Sequence, residues 1–246
     1  MIIDMHMHLD DVPSLGWELS AETCIRAMDE AEVDSAVVMG IADLPGGTNP
    51  GAMELIIDAC DRFPGRFYGF IRLNPRHRDE SLKLLARAVG ELGFRGLKLH
   101  PVSTLAHPGE PATIALIQAA GELGVPTLFH CGDEPLTTPL SIAPAATACP
   151  DAKIILGHMG GYRHVDEAID VAERHPNIIL ETSAMPYPEK IREAIDRIGA
   201  DRVIFGSDGP VSSPALERQK VVRAGLTEEE ARLVLGGTAS TLLGVS

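Results

Sequence analysis

Short runs of apolar, mostly β-branched residues alternate along this chain with longer stretches whose apolar positions recur at helical spacing. Near-continuous hydrophobicity is typical of strands buried on both faces, and its alternation with helices predicts a parallel sheet covered by helices. The eight apolar runs are IIDMHMH (2–8), SAVVMGI (35–41), FYGFIRL (67–73), GLKLH (96–100), VPTLFHC (125–131), KIILGHM (153–159), NIILETS (177–183) and RVIFGSD (202–208).

The intervals between the runs carry signals for helix starts and ends. Ser20 is positioned as the N-cap of the first helix, and Asp79 as a cap in the third interval, where Gly93 would end the helix. In the last interval, Thr227 and Glu230 have the spacing of a capping box.

Eight strand and helix pairs predict an α/β fold, a single (β/α)8 TIM barrel over residues 1–246. The length agrees, because such barrels take about 250 residues. The chain contains no break in composition that would separate two domains. The main alternative is an open, doubly wound sheet.

Composition and charge restrict the partners. Hydrophobic residues make up 45% of the chain, enough for a large core, and the formal net charge is −14. A polyanion would be repelled by this charge, so we expect no nucleic-acid partner. The four cysteines form no C-x-x-C pair, and neither a secretory signal nor an apolar run of transmembrane length is evident. These features predict a cytoplasmic protein with no membrane partner.

Polar side chains stand where the predicted strands end, which is where barrel enzymes place their catalytic groups. His6 and His8 are two residues apart on the first strand, so both imidazoles point the same way. His130, His158 and Asp208 end the fifth, sixth and eighth runs. Because strand ends surround one axial cavity, these nitrogens and the carboxylate can converge on one cation. The pattern predicts a metal site.

Three cationic or aromatic side chains near the same strand ends are candidates for substrate binding. Arg72 can pair with a substrate carboxylate, although a salt bridge to a neighbouring acid explains it equally well. Lys98 can bind an anion as an ordinary ammonium group. His100 shares the pleat side of Lys98, but a His-Pro pair is also a common loop entry.

Several motifs together resemble the amidohydrolase superfamily, in the branch of small aromatic-acid decarboxylases, lactonases and small metal-dependent hydrolases. IIDMHMH resembles that branch's D-x-H-x-H opening, GLKLHP its fourth-strand segment, ILGHMGG its sixth-strand motif and VIFGSDGP its eighth-strand motif. EEARLVLGGTASTLLGV is similar to the last helices, except that Thr238 stands where the family usually has Asn.

The resemblance implies that His6, His8 and Asp208 ligate the principal metal, with His130 completing the site or moving to a second one. In binuclear relatives a fourth-strand lysine is carboxylated and bridges two ions, which would make Lys98 and His158 second-metal ligands. We favour one ion, most simply Zn²⁺ with Mn²⁺ as the alternative. In that case His158 is free to act as a general acid or base.

These residues predict a metal-dependent hydrolase. A divalent ion beside Asp208 would lower the pKa of bound water, and Asp208 and His158 would be the catalytic groups that open an amide, ester or lactone of a small carboxylated substrate. The same residues also suit non-oxidative decarboxylation of a small aromatic or unsaturated acid. A third hypothesis is a noncatalytic metal-binding protein. A homodimer could complete the pocket, because so short a chain has little material for a lid.

Overall fold

Eight parallel strands form the centre of the fold. We describe residues 1–245 in a computed structural model. All eight predicted strands are present, each starting or ending up to four residues inside its apolar run, because the outermost residues of the runs belong to loops. The strands are β1 (Ile3–His8), β2 (Ser35–Met39), β3 (Phe67–Arg72), β4 (Gly96–Leu99), β5 (Thr127–His130), β6 (Ile154–Gly157), β7 (Ile178–Glu181) and β8 (Val203–Ile204).

The strands follow one another around the sheet in chain order, each parallel to the next. The two ends of the sheet meet, because Met5 N donates to Phe205 O at 3.0 Å and Asp208 N donates to His6 O at 2.7 Å. This closure confirms the (β/α)8 barrel and excludes the open, doubly wound sheet. It also places Asp208 directly beside His6.

Helices connect successive strands around the barrel, and three more follow the last strand, where Ala239 and Leu243 pack against the lower barrel interior. No helix within residues 1–245 is long and apolar enough to cross a membrane. The helices are α1 (Ala21–Glu30), α2 (Ala52–Arg62), α3 (Arg78–Glu91), α4 (Pro101–Thr104), α5 (Pro111–Glu122), α6 (Pro139–Ala148), α7 (Val165–Arg174), α8 (Pro188–Ile198), α9 (Pro214–Arg223), α10 (Glu228–Arg232) and α11 (Thr238–Leu243).

The helix ends test the capping predictions. Ser20 accepts a hydrogen bond from Thr23 N, and Thr227 forms the predicted capping box with Glu230. Gly93 follows α3 with φ of +76°, a backbone conformation that glycine adopts without strain. The prediction that Asp79 caps α3 is wrong, because the helix begins one residue earlier, at Arg78, and Asp79 lies in its first turn.

Two apolar cores hold the barrel together. One core fills the space between sheet and helices, and the other fills the lower barrel interior with side chains such as Ile3, Met5 and Phe70. Cys131 is fully buried in the outer core, as the alternation along β5 predicts, and its thiol is free. Apolar packing therefore occupies the bottom of the barrel, and the polar residues are left at the carboxyl ends of the strands.

Candidate active site

The first strand directs two imidazoles into the upper barrel. His6 is fully buried and His8 is 7% exposed. His6 Nδ1 lies 2.9 Å from Glu181 Oε2, and its Nε2 lies 2.8 Å from Lys98 Nζ. Because a carboxylate only accepts, His6 carries its proton on Nδ1 and presents a lone pair on Nε2. Burial lowers the pKa of His6 well below its ordinary value, and the charge of Lys98 lowers it further.

The sixth strand is followed directly by a histidine with an unusual backbone conformation. His158 and Met159 have φ of 70° and 46°, in the left-handed region that side-chain-bearing residues seldom adopt. His158 Nδ1 lies 2.8 Å from Ser183 Oγ, and its Nε2 lies 3.1 Å from His130 Nδ1. Burial lowers the pKa of His158 well below its ordinary value. The ring is therefore neutral near pH 7.

Asp208 follows the eighth strand and brings a carboxylate beside these imidazoles. Asp208 has φ of 59°, and its Oδ1 lies 3.2 Å from His8 Nε2 and 3.6 Å from His6 Nε2. Burial opposes ionisation of this carboxyl. The hydrogen bond from His8, together with the neighbouring imidazoles of His158 and His6, outweighs burial and holds the pKa of Asp208 well below its usual range. Asp208 is therefore a carboxylate.

The donor set fits a divalent cation. One ligand atom each from His6, His158 and Asp208 lies within 4.8 Å of the others. Two imidazole nitrogens with lone pairs and one carboxylate are ligands that Zn²⁺ and Mn²⁺ accept. Glu181 holds the far side of the His6 ring, an arrangement typical of metal-bound histidines. The chain can therefore hold a metal at this point.

The remaining predicted ligands border this three-residue group. His8 contacts it through Asp208. His130 faces His158 with Nδ1 and Glu134 with Nε2, at 3.2 Å, and it does not belong to the compact group. His158 thus belongs to the compact group and His130 lies at its edge, and the roles predicted for them as metal ligand or as acid and base remain predictions.

A cavity of about 220 Å³ opens beside the cluster. The polar part of its wall includes Asp208, and the apolar part contains the single tryptophan of the chain. Such a volume is smaller than that of pockets for drug-sized ligands, so the cavity suits a small molecule. The residues that line it are His8, Trp17, Ile41, Arg72, Lys98, His100, His130, Asp208 and Val211.

Arg72 reaches the cavity wall but is already paired. Its Nε donates to Asp43 Oδ1 at 2.7 Å, and its Nη2 donates to Asp43 Oδ2 at 3.3 Å and to Ser103 Oγ at 3.0 Å. The salt bridge that the sequence offered as the alternative explanation is therefore present. The hydrogen bonds found across residues 1–245 leave Nη1 without an acceptor, so one guanidinium nitrogen stays available.

Lys98 on β4 and His100 just after it also line the cavity. His100 Nδ1 accepts a hydrogen bond from Ser103 N at 3.3 Å, so the ring proton is on Nε2. The His100 ring stacks on His130 with centroids 4.2 Å apart, and burial lowers the pKa of His100 far below its ordinary value. Lys98 is 1% exposed, and burial lowers its pKa to about 7. Glu181 makes no hydrogen bond to Lys98 in the described chain.

Two residues near the site were not found from the sequence. Trp17 and Asp43 lie in loops, where no spacing links them to the strand ends, although a lone tryptophan in an aromatic-poor chain is a usable signal. Glu181 ends β7 and Ser183 follows it two residues later, and both contact histidines of the site. Asp4 lies deeper than His6, and burial raises the pKa of its carboxyl to about 7.

Comparisons with known proteins agree with this fold. A family model described as "Amidohydrolase" matches residues 3–245. The chain is similar in structure to an uncharacterised TIM-barrel protein from Bordetella bronchiseptica, with 20% identity, a TM-score of 0.80, and coverage of 99% of this chain and 98% of that one. A search of curated protein sequences finds no match.

Two other similar structures carry enzyme names. One is a 2,6-dihydroxybenzoate decarboxylase from Rhizobium, with 18% identity, a TM-score of 0.75, and coverage of 99% of this chain and 98% of that one. The other is a 5-carboxyvanillate decarboxylase from Novosphingobium aromaticivorans, in complex with manganese and 4-hydroxy-3-methoxy-5-nitrobenzoic acid. It has 16% identity, a TM-score of 0.77, and coverage of 100% and 96%. At these identities the likeness supports the fold.

Proposed function

We propose that this chain, which belongs to the amidohydrolase family, is a metal-dependent, non-oxidative decarboxylase. Its substrate would be a small aromatic or unsaturated acid. The observation that carries the proposal is the cavity of about 220 Å³, whose wall includes Trp17 and Asp208, the carboxylate of the compact His6, His158 and Asp208 group. The names of the similar structures favour this reaction over the hydrolysis that the sequence suggested first.

The cavity wall supports an aromatic acid. Trp17, Ile41 and Val211 offer an apolar surface on which a flat ring can pack, and they keep water away from it. On the polar side, Arg72 Nη1 and the His100 Nε2 proton can donate to an anionic oxygen. We propose that these two donors bind the substrate and orient it toward Asp208.

We propose that the metal is held by His6, His158 and Asp208, with His8 supporting Asp208. A bound divalent ion would polarise substrate oxygens and stabilise the negative charge that develops as carbon dioxide leaves. Mn²⁺ is favoured over the Zn²⁺ first expected from the sequence, because a structurally similar decarboxylase is described with manganese. Lys98 Nζ lies 2.8 Å from His6 Nε2, and this contact must open for that nitrogen to bind the ion.

The reaction breaks the bond between the substrate carbon and its carboxylate. The electron pair stays on that carbon, which must take up one proton. We propose that Asp208 delivers it, since its side chain is 29% exposed and lies on the cavity wall. Because the pKa of Asp208 is well below its usual range, the carboxylate must first receive that proton from solvent or from the substrate.

A substrate screen tests the reaction type. We expect small aromatic acids to release carbon dioxide with no acid formed, and the product made in D₂O to carry one deuterium at the former carboxylate position. Carboxylated lactones and esters, assayed in parallel, separate the two reactions because hydrolysis forms acid without gas. Opening of a lactone ring, with no carbon dioxide released from any of the acids, would contradict the proposal. That outcome would support the hydrolase predicted from the sequence.

The role of Arg72 in binding gives a further prediction. Replacing a charged hydrogen-bond donor costs roughly 1.5–3 kcal/mol, so Arg72→Gln should raise KM for acids by about 10- to 100-fold with little change in kcat. Because the single variant leaves Asp43 buried without its cation, the double variant Arg72→Gln/Asp43→Asn serves as the stability-matched form. An unchanged KM for the best acid in both variants would exclude the contact.

A further inference from the structure

We infer that Asp10 is a positioning residue that joins the loop carrying Trp17 to the loop carrying Ile41, and thereby fixes the apolar wall against which a substrate ring packs. Trp17 and Ile41 line the cavity, whereas Asp10 is 8% exposed and does not line it. The inference rests on the proposed function only in taking an aromatic acid as the occupant. It uses neither the metal position nor the reaction.

The loop after β1 is folded back on itself. Val12 N donates to Trp17 O at 3.0 Å and Trp17 N donates to Val12 O at 3.2 Å, which closes a hairpin. At the base of this hairpin, Asp10 N donates to Leu19 O at 3.3 Å, and Asp11 Oδ1 accepts from Leu19 N at 2.6 Å. These bonds fix the Trp17 backbone relative to Asp10, so the position of the indole depends on where Asp10 is held.

The loop after β2 holds the Asp10 carboxylate. Oδ2 accepts a hydrogen bond from Ala42 N at 3.3 Å, and Oδ1 accepts one from Asn49 Nδ2 at 2.7 Å. Within the described chain, these are the two hydrogen bonds that connect residues 10–19 to residues 41–50. Both of them end on one side chain, so Asp10 is the link between the two loops.

The bond from Ala42 acts on the part of the second loop that borders the cavity. Ile41 precedes Ala42 and contributes an apolar side chain to the wall. Asp43 follows Ala42 and accepts the hydrogen bonds from Arg72 Nε and Nη2. Through Ala42 N, Asp10 therefore places both an apolar contact and the acid that orients the proposed substrate donor.

The backbone of Asp10 is strained in a way that agrees with this role. Its φ is 103°, in a region that residues other than glycine seldom adopt. Such conformations persist only where several contacts fix the residue together, and they are concentrated at active and binding sites. At Asp10 the contacts to Leu19, Ala42 and Asn49 do so. We attribute the strain to the need to face both loops at once.

The direction of each hydrogen bond to the carboxylate is determined. Gly51 N donates to Asn49 Oδ1 at 3.0 Å, so the Asn49 amide presents Nδ2 to Asp10. A backbone N–H can only donate, so Ala42 also requires an acceptor. A carboxylate offers two acceptors, whereas an amide offers one acceptor and one donor group. Asp10→Asn must therefore lose one bond, and rotation of the Asn49 amide would only move the loss to Gly51.

A reciprocal exchange restores the pattern. In Asp10→Asn/Asn49→Asp, the amide introduced at position 10 donates to the carboxylate introduced at position 49, and its oxygen accepts from Ala42 N. The second oxygen at position 49 accepts from Gly51 N, and the net charge of the chain is unchanged. Asn49→Asp alone instead places two carboxylates against each other. Recovery in the double variant would therefore identify the link between the loops as the cause.

The single tryptophan of the chain reports on the first loop without any ligand. Acrylamide quenching of Trp17 fluorescence in the full chain should rise by about twofold in Asp10→Asn, because the loop opens more often when one of its two links is lost. It should return to the wild-type value in the double variant. Asp133→Asn is the matched control, because Asp133 also accepts two N–H donors but lies in the loop after β5.

Ligand selection is the second readout. Benzoate is flat and cyclohexanecarboxylate is puckered, and both are titrated against Trp17 fluorescence. We expect the wild-type chain to bind benzoate more tightly. Asp10→Asn should weaken benzoate binding by about 3- to 10-fold and bring the two Kd values together, because the wall is no longer held at the spacing of a flat ring. The double variant should recover the preference, and Asp133→Asn should keep it.

Two results would overturn the inference. One is acrylamide quenching in Asp10→Asn that equals the wild-type value, with circular dichroism and a thermal melt confirming that both proteins are folded. The other is a double variant whose Trp17 is as accessible as in the single variant. A wild-type chain that binds neither acid would instead contradict the proposed function, and the acrylamide result would still decide whether Asp10 joins the loops.

Discussion

Asp208→Asn protein is expected to fold normally and to lose turnover by about 10³-fold or more. Asp208 is the only anionic member of the proposed metal-binding group and the proposed carrier of the proton. Asparagine has nearly the same shape but neither the charge nor the ability to carry the proton. It also tolerates the left-handed backbone at φ of 59°, so the variant tests charge with little strain.

The measurement is the initial rate of carbon dioxide release, with circular dichroism and a thermal melt to confirm folding. Asp133→Asn is the matched control, since Asp133 lies in the loop after β5 and accepts hydrogen bonds from Tyr162 N and Arg163 N, outside the cluster. The control should retain near wild-type rates. A wild-type rate in Asp208→Asn would exclude both proposed roles of Asp208.

Removal of the metal is expected to have an effect of similar size. Purified protein should contain near-stoichiometric manganese or zinc by elemental analysis. After exhaustive chelation, turnover should fall at least about 100-fold and return on addition of Mn²⁺, because the protein alone supplies no comparable stabilisation of the developing charge. Full activity in chelated protein without detectable metal would refute the metal dependence.

Stability provides a second readout that does not depend on knowing the substrate. A metal ion present at 100 times its Kd should stabilise the native state by about 2.7 kcal/mol. That stabilisation corresponds to a rise in Tm of roughly 5–10 °C for a domain of this size. His6→Gln should abolish the rise. His77→Gln changes an exposed histidine that follows β3 and should preserve it.

The cavity wall contains the basic side chains of Arg72 and Lys98, although the chain as a whole is acidic. With a formal net charge of −14, the protein as a whole repels anions. Asp43 neutralises Arg72 but leaves Nη1 available, and Lys98 is paired with an imidazole and not with a carboxylate. Under the proposed function, an anionic substrate would therefore meet positive charge at the cavity wall and not on the surface as a whole.

The sequence by itself determined the barrel and the strand ends that carry its chemistry. Eight apolar runs separated by helix-sized intervals specify a parallel α/β sheet, because strands buried on both faces need apolar residues at nearly every position. His6, His8 and Asp208 could be located because a strand projects alternate side chains to one side and barrel strands end at one face. Local signals also placed the caps at Ser20 and Thr227, while Asp79 missed because helix ends tolerate several acidic positions.

Only the tertiary structure decided which of these groups meet. Glu181 contacts His6 across 175 positions of the chain, and Asp43 contacts Arg72 across 29, so no periodic pattern links either pair. The compact group of His6, His158 and Asp208 likewise joins residues that are far apart in the sequence. Helix and strand propensities depend on neighbouring residues in the sequence. The ring nitrogen on which a histidine carries its proton depends instead on the acceptor that the closed barrel brings within about 3 Å.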